Sequence, residues 1–269
     1  MRGHVLRDGV KFRVVQEGTG SPMVFVHGWS CNHSHFEPQL RHFARDHHVV
    51  AFDLRGHGES DKPAGGPYTI EGFADDLVWL CGELKLQKPL LVGHSMGARI
   101  ALTAAARLRT AGVVLLDSTL RFLPKVAADT EKRIAAMRGS EGEAARQKMV
   151  RDVMFAPGDD AAVAERVMAE MIATPLGVAA PALASLAAWD GVEFARRADA
   201  PILAILSRPL TVQSMLALVP ELPRLQVAVA VGSGHFLQLI VPDQVNAMIA
   251  RFMEVNNFAA SPAAAGLRA

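Results

Sequence analysis

The sequence predicts an α/β fold in which helices cover both faces of a mostly parallel sheet and a helical cap is inserted. Short apolar runs alternate with helical segments over the first half of the chain and again near its end. Glycine-rich and polar motifs follow several of these runs. From about residue 121 to 198 the alternation stops, and Ala, Met, Arg and Glu recur at helical spacing. We therefore expect a core of residues 1–120 and 199–258, a cap of residues 121–198, and a flexible tail of residues 259–269.

Seven segments have the composition of strands. Residues 10–16 alternate apolar and polar side chains, as in a half-buried strand, whereas the other segments are the nearly continuous apolar runs typical of buried parallel strands. The predicted strands are residues 10–16, 23–26, 49–52, 90–92, 113–116, 201–206 and 225–231.

The helices are predicted from apolar residues at spacings of three and four. In residues 69–84, for example, Phe73, Leu77 and Leu80 lie on one face, and Thr69 can cap the first turn. The predicted helices are residues 36–43, 69–84, 98–107, 130–137, 143–154, 161–172, 181–188 and 245–255.

The composition excludes several classes of partner. The 269 residues are 50% hydrophobic with a formal net charge of +1, so we expect a large core and no affinity for nucleic acid or anionic membranes. No apolar run approaches the ~18 residues of a membrane helix, and no export signal is visible, so we expect a cytoplasmic protein. Cys31 and Cys81 lack metal-site spacing and are expected to be reduced thiols. The sequence is compatible with a homo-oligomer.

The clearest chemical motif is Gly93-His94-Ser95-Met96-Gly97, which stands between a predicted strand and a predicted helix. In that context the pattern is typical of a nucleophile elbow, a tight turn that projects a serine hydroxyl from the top of a sheet. Gly93 and Gly97 lack side chains, so the strand and the helix can approach each other across the turn. The alternative is an ordinary strand–helix turn with an inert serine.

A nucleophilic serine needs a general base with a pKa near neutrality, which indicates histidine. His235 follows the last predicted strand in a Gly-Ser-Gly-His loop, at the sheet edge where Ser95 is expected. The other histidines stand in polar connections, in glycine-rich loops or inside the elbow. His235 is therefore the candidate base.

Four motifs together resemble the landmarks of the α/β-hydrolase fold superfamily, in the same order and spacing. They are His27-Gly28-Trp29, residues 53–60 (Asp-Leu-Arg-Gly-His-Gly-Glu-Ser), the elbow, and Gly234-His235-Phe236. The resemblance implies Ser95 as nucleophile, His235 as base, and an oxyanion hole formed by the backbone N–H groups of Trp29 and Met96. We also expect the side chains of Trp29 and His94 to contact the substrate. The resemblance implies no cofactor and no metal.

The acid of the triad departs from the usual pattern. Most relatives carry an aspartate shortly after the penultimate strand, but here Ser207-Arg208-Pro209-Leu210-Thr211 contains no carboxylate. Asp117, at the end of the strand after the nucleophile strand, occupies a position that some members use for the acid. The alternatives are that Asp117 only caps its turn, that Glu221 is the acid, or that His235 pairs with a carbonyl or water.

The resemblance favours a serine hydrolase that cleaves an ester, thioester or lactone of a small, largely apolar substrate. One alternative is a cofactor-free dioxygenase of this fold, in which the His235–Asp117 pair would deprotonate an organic substrate. Another is a carbon–carbon bond hydrolase or a perhydrolase. A non-enzymatic receptor is disfavoured because Ser95 and His235 are both present. A haloalkane dehalogenase is disfavoured because its nucleophile is an aspartate where this chain has Ser95.

Overall fold

The computed structural model describes residues 2–258, which form one eight-stranded sheet in the order β1-β2-β4-β3-β5-β6-β7-β8. β1 and β2 pair antiparallel, as do β2 and β4, and every other neighbouring pair is parallel. The predicted mostly parallel sheet is therefore confirmed. The strands are β1 (Arg2–Arg7), β2 (Val10–Glu17), β3 (Pro22–Val26), β4 (His48–Phe52), β5 (Leu90–His94), β6 (Gly112–Leu116), β7 (Ile202–Leu206) and β8 (Leu225–Val229).

Eleven α-helices occur within residues 2–258, five of them in succession between β6 and β7, in the stretch predicted to form the cap. The predicted tail, residues 259–269, lies outside the described residues. The helices are α1 (Glu37–Phe43), α2 (Ile70–Glu83), α3 (Met96–Ala105), α4 (Pro124–Met137), α5 (Gly142–Met154), α6 (Ala161–Ile172), α7 (Leu176–Ala188), α8 (Val192–Arg197), α9 (Pro209–Leu216), α10 (Leu237–Ile240) and α11 (Pro242–Val255).

Both faces of the sheet are buried, because successive side chains of each central strand point to opposite faces. In β3, Val24 and Val26 pack into a core shared with α2, α3 and the helices between β6 and β7. Met23 and Phe25 of the same strand pack into a second core with α1 and α11. This two-sided burial explains why the parallel strands are continuous apolar runs.

The order of the strands reverses between β3 and β5. After β3 the chain adds β4 on one side, then crosses over to place β5 on the other side of β3. In open α/β sheets, ligands bind at such a reversal, beside the carboxyl ends of the strands. The segment His27-Gly28-Trp29 follows β3 and Ser95 follows β5, so both motifs stand at this position.

The sequence-based boundaries were wrong at several elements. β1 was not predicted, because no residue of Arg2–Arg7 is fully buried and the strand lacks an apolar run. The short helices α8, α9 and α10 were also missed. α7 begins at Leu176 rather than at Pro181, which lies inside the helix. Thr69 caps α2 as predicted, accepting a hydrogen bond from the N–H of Gly72.

Both cysteines are free and buried, as expected. Within residues 2–258, no group of three or more His, Cys, Asp or Glu side chains could hold a metal ion. No single described helix is long and apolar enough to cross a membrane; α6 and α7 satisfy that test only jointly, and they are bent by 103°.

Glycine is required where β3, β5 and α3 meet. A Cβ on Gly97 would lie 2.0 Å from the carbonyl oxygen of Val26, which belongs to the rigid sheet. We expect Gly97→Ala to lower the free energy of unfolding by about 2 kcal/mol or more, measured by chemical denaturation, because the backbone must shift. Gly177→Ala is the matched control, since a Cβ there meets nothing within 4 Å. An equal loss in both variants would contradict this packing argument.

Candidate active site

Ser95 lies on a strained turn between β5 and α3. Its φ of 53° and ψ of −114° are unusual for a residue with a side chain, and such strain costs on the order of 1–3 kcal/mol. The turn is held by a hydrogen bond of 2.9 Å from the N–H of Ser95 to the carbonyl of Leu116 in β6. The Ser95 hydroxyl makes no capping hydrogen bond to α3. The fold therefore presents a half-buried hydroxyl that does not cap the helix beside it.

His235 and Asp117 lie side by side at the same edge of the sheet. Nδ1 of His235 is 2.6 Å from Oδ2 of Asp117, and both side chains are buried, with 7% and 2% of their surface exposed. Because a carboxylate can only accept, Nδ1 carries the proton and donates. This leaves Nε2 of the neutral imidazole as the nitrogen that can take a proton.

Asp117 is surrounded by donors from the segment after β7. Its Oδ1 accepts hydrogen bonds from the backbone N–H and the hydroxyl of Ser207, both at 3.1 Å. Its Oδ2 also accepts from Nη2 of Arg208, at 2.9 Å. The carboxylate thus bonds across to the neighbouring strand and does not cap its own turn. In most relatives the segment after the penultimate strand carries the acid. Here that segment instead supplies donors to the carboxylate of Asp117.

These contacts control the ionisation of both residues. Burial alone would raise the pKa of Asp117, but the hydrogen bond from His235 and the charges of His235 and Arg208 hold it well below its usual range. Burial lowers the pKa of His235 below 6.5; the hydrogen bond and charge of Asp117 oppose this, and the charge of Arg208 adds to it. At neutral pH the pair is therefore a carboxylate beside a neutral imidazole.

The loop that carries His235 is fixed from both sides. Nε2 of His94 donates to the carbonyl of His235 at 2.8 Å, and the N–H of His235 donates to the carbonyl of Met154, in α5, at 3.1 Å. Asp159 accepts from the N–H of Gly234 at 2.9 Å. The helices between β6 and β7 therefore help to position the imidazole.

The side chains of His94 and Trp29 are not among those that line the cavity, and their contact with the substrate stays a prediction. The His94 ring is only 1% exposed and is engaged with the His235 backbone, and burial lowers its pKa far below 6.5, so it is neutral. Trp29 is 3% exposed, and its Nε1 donates to the carbonyl of Ala179 in α7 at 2.7 Å. Both side chains support surrounding backbone.

Trp29 and Met96 each follow one of two neighbouring strands, β3 and β5. β3 and β5 are paired in parallel, with Val26 opposite Gly93, so the segments that follow them lie side by side. Met96 is the first residue of α3, and the first N–H groups of a helix have no partner within the helix. These two N–H groups are therefore the candidates for binding an oxyanion.

A cavity of about 430 Å³ lies at the carboxyl edge of the sheet, beside the candidate nucleophile and base. Ser95, Asp117 and His235 all line it. More than half of the remaining lining residues are apolar, and most of these come from the segment between β6 and β7; they include Phe122, Val126, Met149, Met154, Leu183 and Leu186. The cavity therefore offers an apolar chamber above the serine and the histidine.

Glu221 lies away from these groups. Its carboxylate is exposed and pairs with Nη2 of Arg196 at 3.0 Å, and it does not line the cavity. Of the two carboxylates proposed from the sequence, Asp117 is thus the one in contact with His235.

Sequence reasoning missed Arg208, Asp159 and Arg99. Arg208 contacts Asp117, Asp159 holds the loop of His235, and Arg99 lines the cavity one turn beyond Ser95. For Arg208, the sequence signal was the absence of a carboxylate after β7. Asp159 and Arg99 contact segments that are distant in the chain, so the sequence carried no local signal for them.

Comparison with known proteins agrees with this architecture. The profile of the alpha/beta hydrolase fold family matches residues 21–241. The chain is 31% identical to 2-(acetamidomethylene)succinate hydrolase of Mesorhizobium japonicum, over 91% of this chain and 92% of that protein. Among solved structures, a thermophilic esterase from Thermogutta terrifontis superposes with a TM-score of 0.82 at 24% identity, covering 95% and 99% of the two chains.

A third similar protein is Est816, described as an N-acyl homoserine lactone degrading enzyme. It has a TM-score of 0.79 at 28% identity, and the match covers 93% of this chain and all of that one. The family match and the full-length relative settle the classification. The chain belongs to the alpha/beta hydrolase fold family and is an enzyme of the hydrolase class.

Proposed function

We propose that the protein is a serine hydrolase that cleaves an ester, thioester or lactone of a small, largely apolar substrate through an acyl-enzyme on Ser95. The observation that carries the proposal is the 2.6 Å hydrogen bond between His235 and the buried Asp117, in a cavity that also exposes Ser95. A base held in one tautomer by a carboxylate is the arrangement that activates a serine.

In the proposed reaction, Oγ of Ser95 attacks the substrate carbonyl while Nε2 of His235 accepts its proton. The N–H groups of Trp29 and Met96 stabilise the oxyanion, an effect worth about 3 kcal/mol for each donor. His235 then protonates the departing alcohol or thiol, and the acyl group stays on Ser95. Water, deprotonated by His235, attacks the acyl-enzyme; the bond from the acyl carbon to Oγ of Ser95 then breaks, His235 returns the proton to Oγ, and the acid is released. Asp117 stays ionised and stabilises the imidazolium in both steps.

The relatives support hydrolysis more strongly than any other chemistry. The full-length relative from Mesorhizobium japonicum is named for the hydrolysis of a succinate derivative. Location in the cytoplasm, a homo-oligomeric state and the lack of nucleic-acid or membrane partners stay predictions of the sequence.

The first prediction concerns the nucleophile. A fluorophosphonate should label Ser95, because an activated serine attacks phosphorus as it attacks a carbonyl. Mass spectrometry of the labelled protein locates the adduct. Ser95→Ala should abolish labelling, whereas Ser214→Ala, which changes another serine of the cavity lining, should not. An unlabelled protein that consumes oxygen with a heteroaromatic phenol would instead be a cofactor-free dioxygenase.

The second prediction concerns the acid. Asp117→Asn should lower kcat/KM for a short p-nitrophenyl ester by about 10³- to 10⁴-fold, because the histidine loses the group that fixes its tautomer and stabilises its cation. Glu221→Gln is the matched control and should stay within a few-fold of the wild type. Circular dichroism and unfolding curves would verify that both variants fold. A fully active Asp117→Asn would exclude this residue as the acid.

The third prediction concerns pH. Because the base must be neutral, kcat/KM should fall as the pH drops through the pKa of His235, with a midpoint below 6.5. Arg208→Gln removes a cation that opposes the imidazolium, so the pKa of His235 should rise and the midpoint should move to higher pH. Arg196→Gln, an exposed arginine outside the cavity lining, should leave the midpoint unchanged. A midpoint that does not move in Arg208→Gln would contradict this assignment of the charge.

A further inference from the structure

The cavity contains more positive than negative charge. Three guanidinium groups and one carboxylate line it among the described residues: those of Arg99, Arg133, Arg208 and Asp117. The carboxylate of Asp117 is already shared between Arg208 and His235. Within residues 2–258, no carboxylate oxygen lies within 4.0 Å of the guanidinium of Arg99 or Arg133. Two cations therefore line a largely apolar chamber without an ion-pair partner, although the charge of Asp190 acts on Arg99 from a longer distance.

Arg99 is the more unusual of the two. The residue is only 2% exposed, yet within residues 2–258 its guanidinium makes a single hydrogen bond, from Nη1 to the carbonyl of Leu186 in α7, at 2.7 Å. The guanidinium lies 4.2 Å from the ring centroid of Phe122 and 5.2 Å from that of Trp189. Its Nε is buried without a partner in the described part of the chain. Burial lowers the pKa of Arg99 to about 9, so it is still a cation at neutral pH.

A buried cation without an ion-pair partner is costly, because aromatic faces, one carbonyl and the more distant charge of Asp190 replace only part of its hydration. An anion that enters the cavity would offset this cost, because it would pair with the guanidinium. Arg99 also stands four residues after Ser95, on the first turns of α3, so an anion bound there would lie near the proposed nucleophile. The position therefore suits an anionic group of the substrate itself.

Arg133 supplies the second cation from a different element. It is half-buried in α4, three residues after Thr130, and both residues line the cavity. Of the two acidic residues of α4, Asp129 pairs with the exposed Lys132, and Glu131 is exposed. Arg133 is thus directed into the chamber by the face of α4 on which it lies.

We infer that the substrate carries a carboxylate, in addition to the scissile carbonyl, and that Arg99 and Arg133 are the groups that attract and bind it. A guanidinium matches a carboxylate with two parallel hydrogen bonds, and the apolar walls accommodate the hydrocarbon between the two ends of the substrate. This inference rests on the proposed function, of which it names the substrate class: short, anionic half-esters or related acyl compounds.

A matched pair of substrates tests the inference. Ethyl hydrogen glutarate and ethyl pentanoate have the same acyl chain length and differ by a terminal carboxylate in place of a methyl group. The wild type should have a kcat/KM for the anionic ester at least about tenfold higher, because one charge-assisted contact is worth that factor or more. Titration of the released acid at constant pH measures both rates. A ratio of one or less would overturn the inference.

Variants assign the preference to the two arginines. Arg133→Gln and Arg99→Gln should each move the ratio of the two kcat/KM values toward one. Arg138→Gln, the same replacement at an exposed position following α4, should keep the wild-type ratio. The ratio is measured within each variant, so a general loss of activity cancels. Arg133 is half-exposed, so its variant should fold even if the buried Arg99→Gln does not; an unchanged ratio in Arg133→Gln would overturn the assignment.

A binding measurement separates this inference from the proposed function. In Ser95→Ala, calorimetry should detect glutarate at an affinity at least about tenfold higher than that of dimethyl glutarate, with the difference removed by adding Arg133→Gln. This result requires no catalysis. If Ser95 fails to react and neither ester is hydrolysed, the proposed function fails, and glutarate binding still decides whether the cavity is an anion site. Equal binding of the diacid and the diester would refute it.

Discussion

The structure of the site depends on keeping one carboxylate ionised while it is buried. Asp117 is 2% exposed, and its backbone has a φ of 42°, a conformation that costs energy for a residue with a side chain. Donors on three neighbouring groups, Ser207, Arg208 and His235, compensate for the lost hydration. Since these donors come from the ends of β7 and β8, the sheet must be assembled before the charge can be accommodated. The hydrogen bond to His235 is thus both the central contact of the candidate site and a constraint on the fold.

The helices between β6 and β7 complete the site as well as enclosing it. They accept a hydrogen bond from the N–H of His235 at Met154, hold the N–H of Gly234 through Asp159, and bind the guanidinium of Arg99 at Leu186. A Cβ on Gly234 would lie 2.5 Å from Oδ2 of Asp159, so this close approach requires glycine. Movement of these helices would therefore change the orientation of His235 together with the shape of the cavity.

Much of this arrangement could be predicted from the sequence, and the exceptions have a common cause. The parallel strands, the turn at Ser95 and the loop of His235 are local patterns, since each apolar run and the motif after it are contiguous in the chain. β1 and α9 left no such pattern, because β1 has no buried residue and α9 buries only Met215. The contact of Arg208 with Asp117 spans 91 residues and that of Asp159 with Gly234 spans 75, so neither leaves a local signal. Asp117 itself could be inferred only because the usual position of the acid contains none.

The position of the acid and the charge of the cavity are physically linked. Because the carboxylate comes from the end of β6, the segment after β7 is free to carry Arg208, which faces Asp117 and lies 3.4 Å from Nδ1 of His235. That guanidinium stabilises the carboxylate but opposes the positive charge that His235 acquires when it takes a proton. A carboxylate on a bound substrate, drawn in by Arg99 and Arg133, would offset this opposition, since a nearby anion favours the imidazolium. A neutral substrate would not offset the repulsion between Arg208 and protonated His235. The charge of the substrate would therefore affect the transfer of a proton to His235, the step that Asp117 is proposed to support.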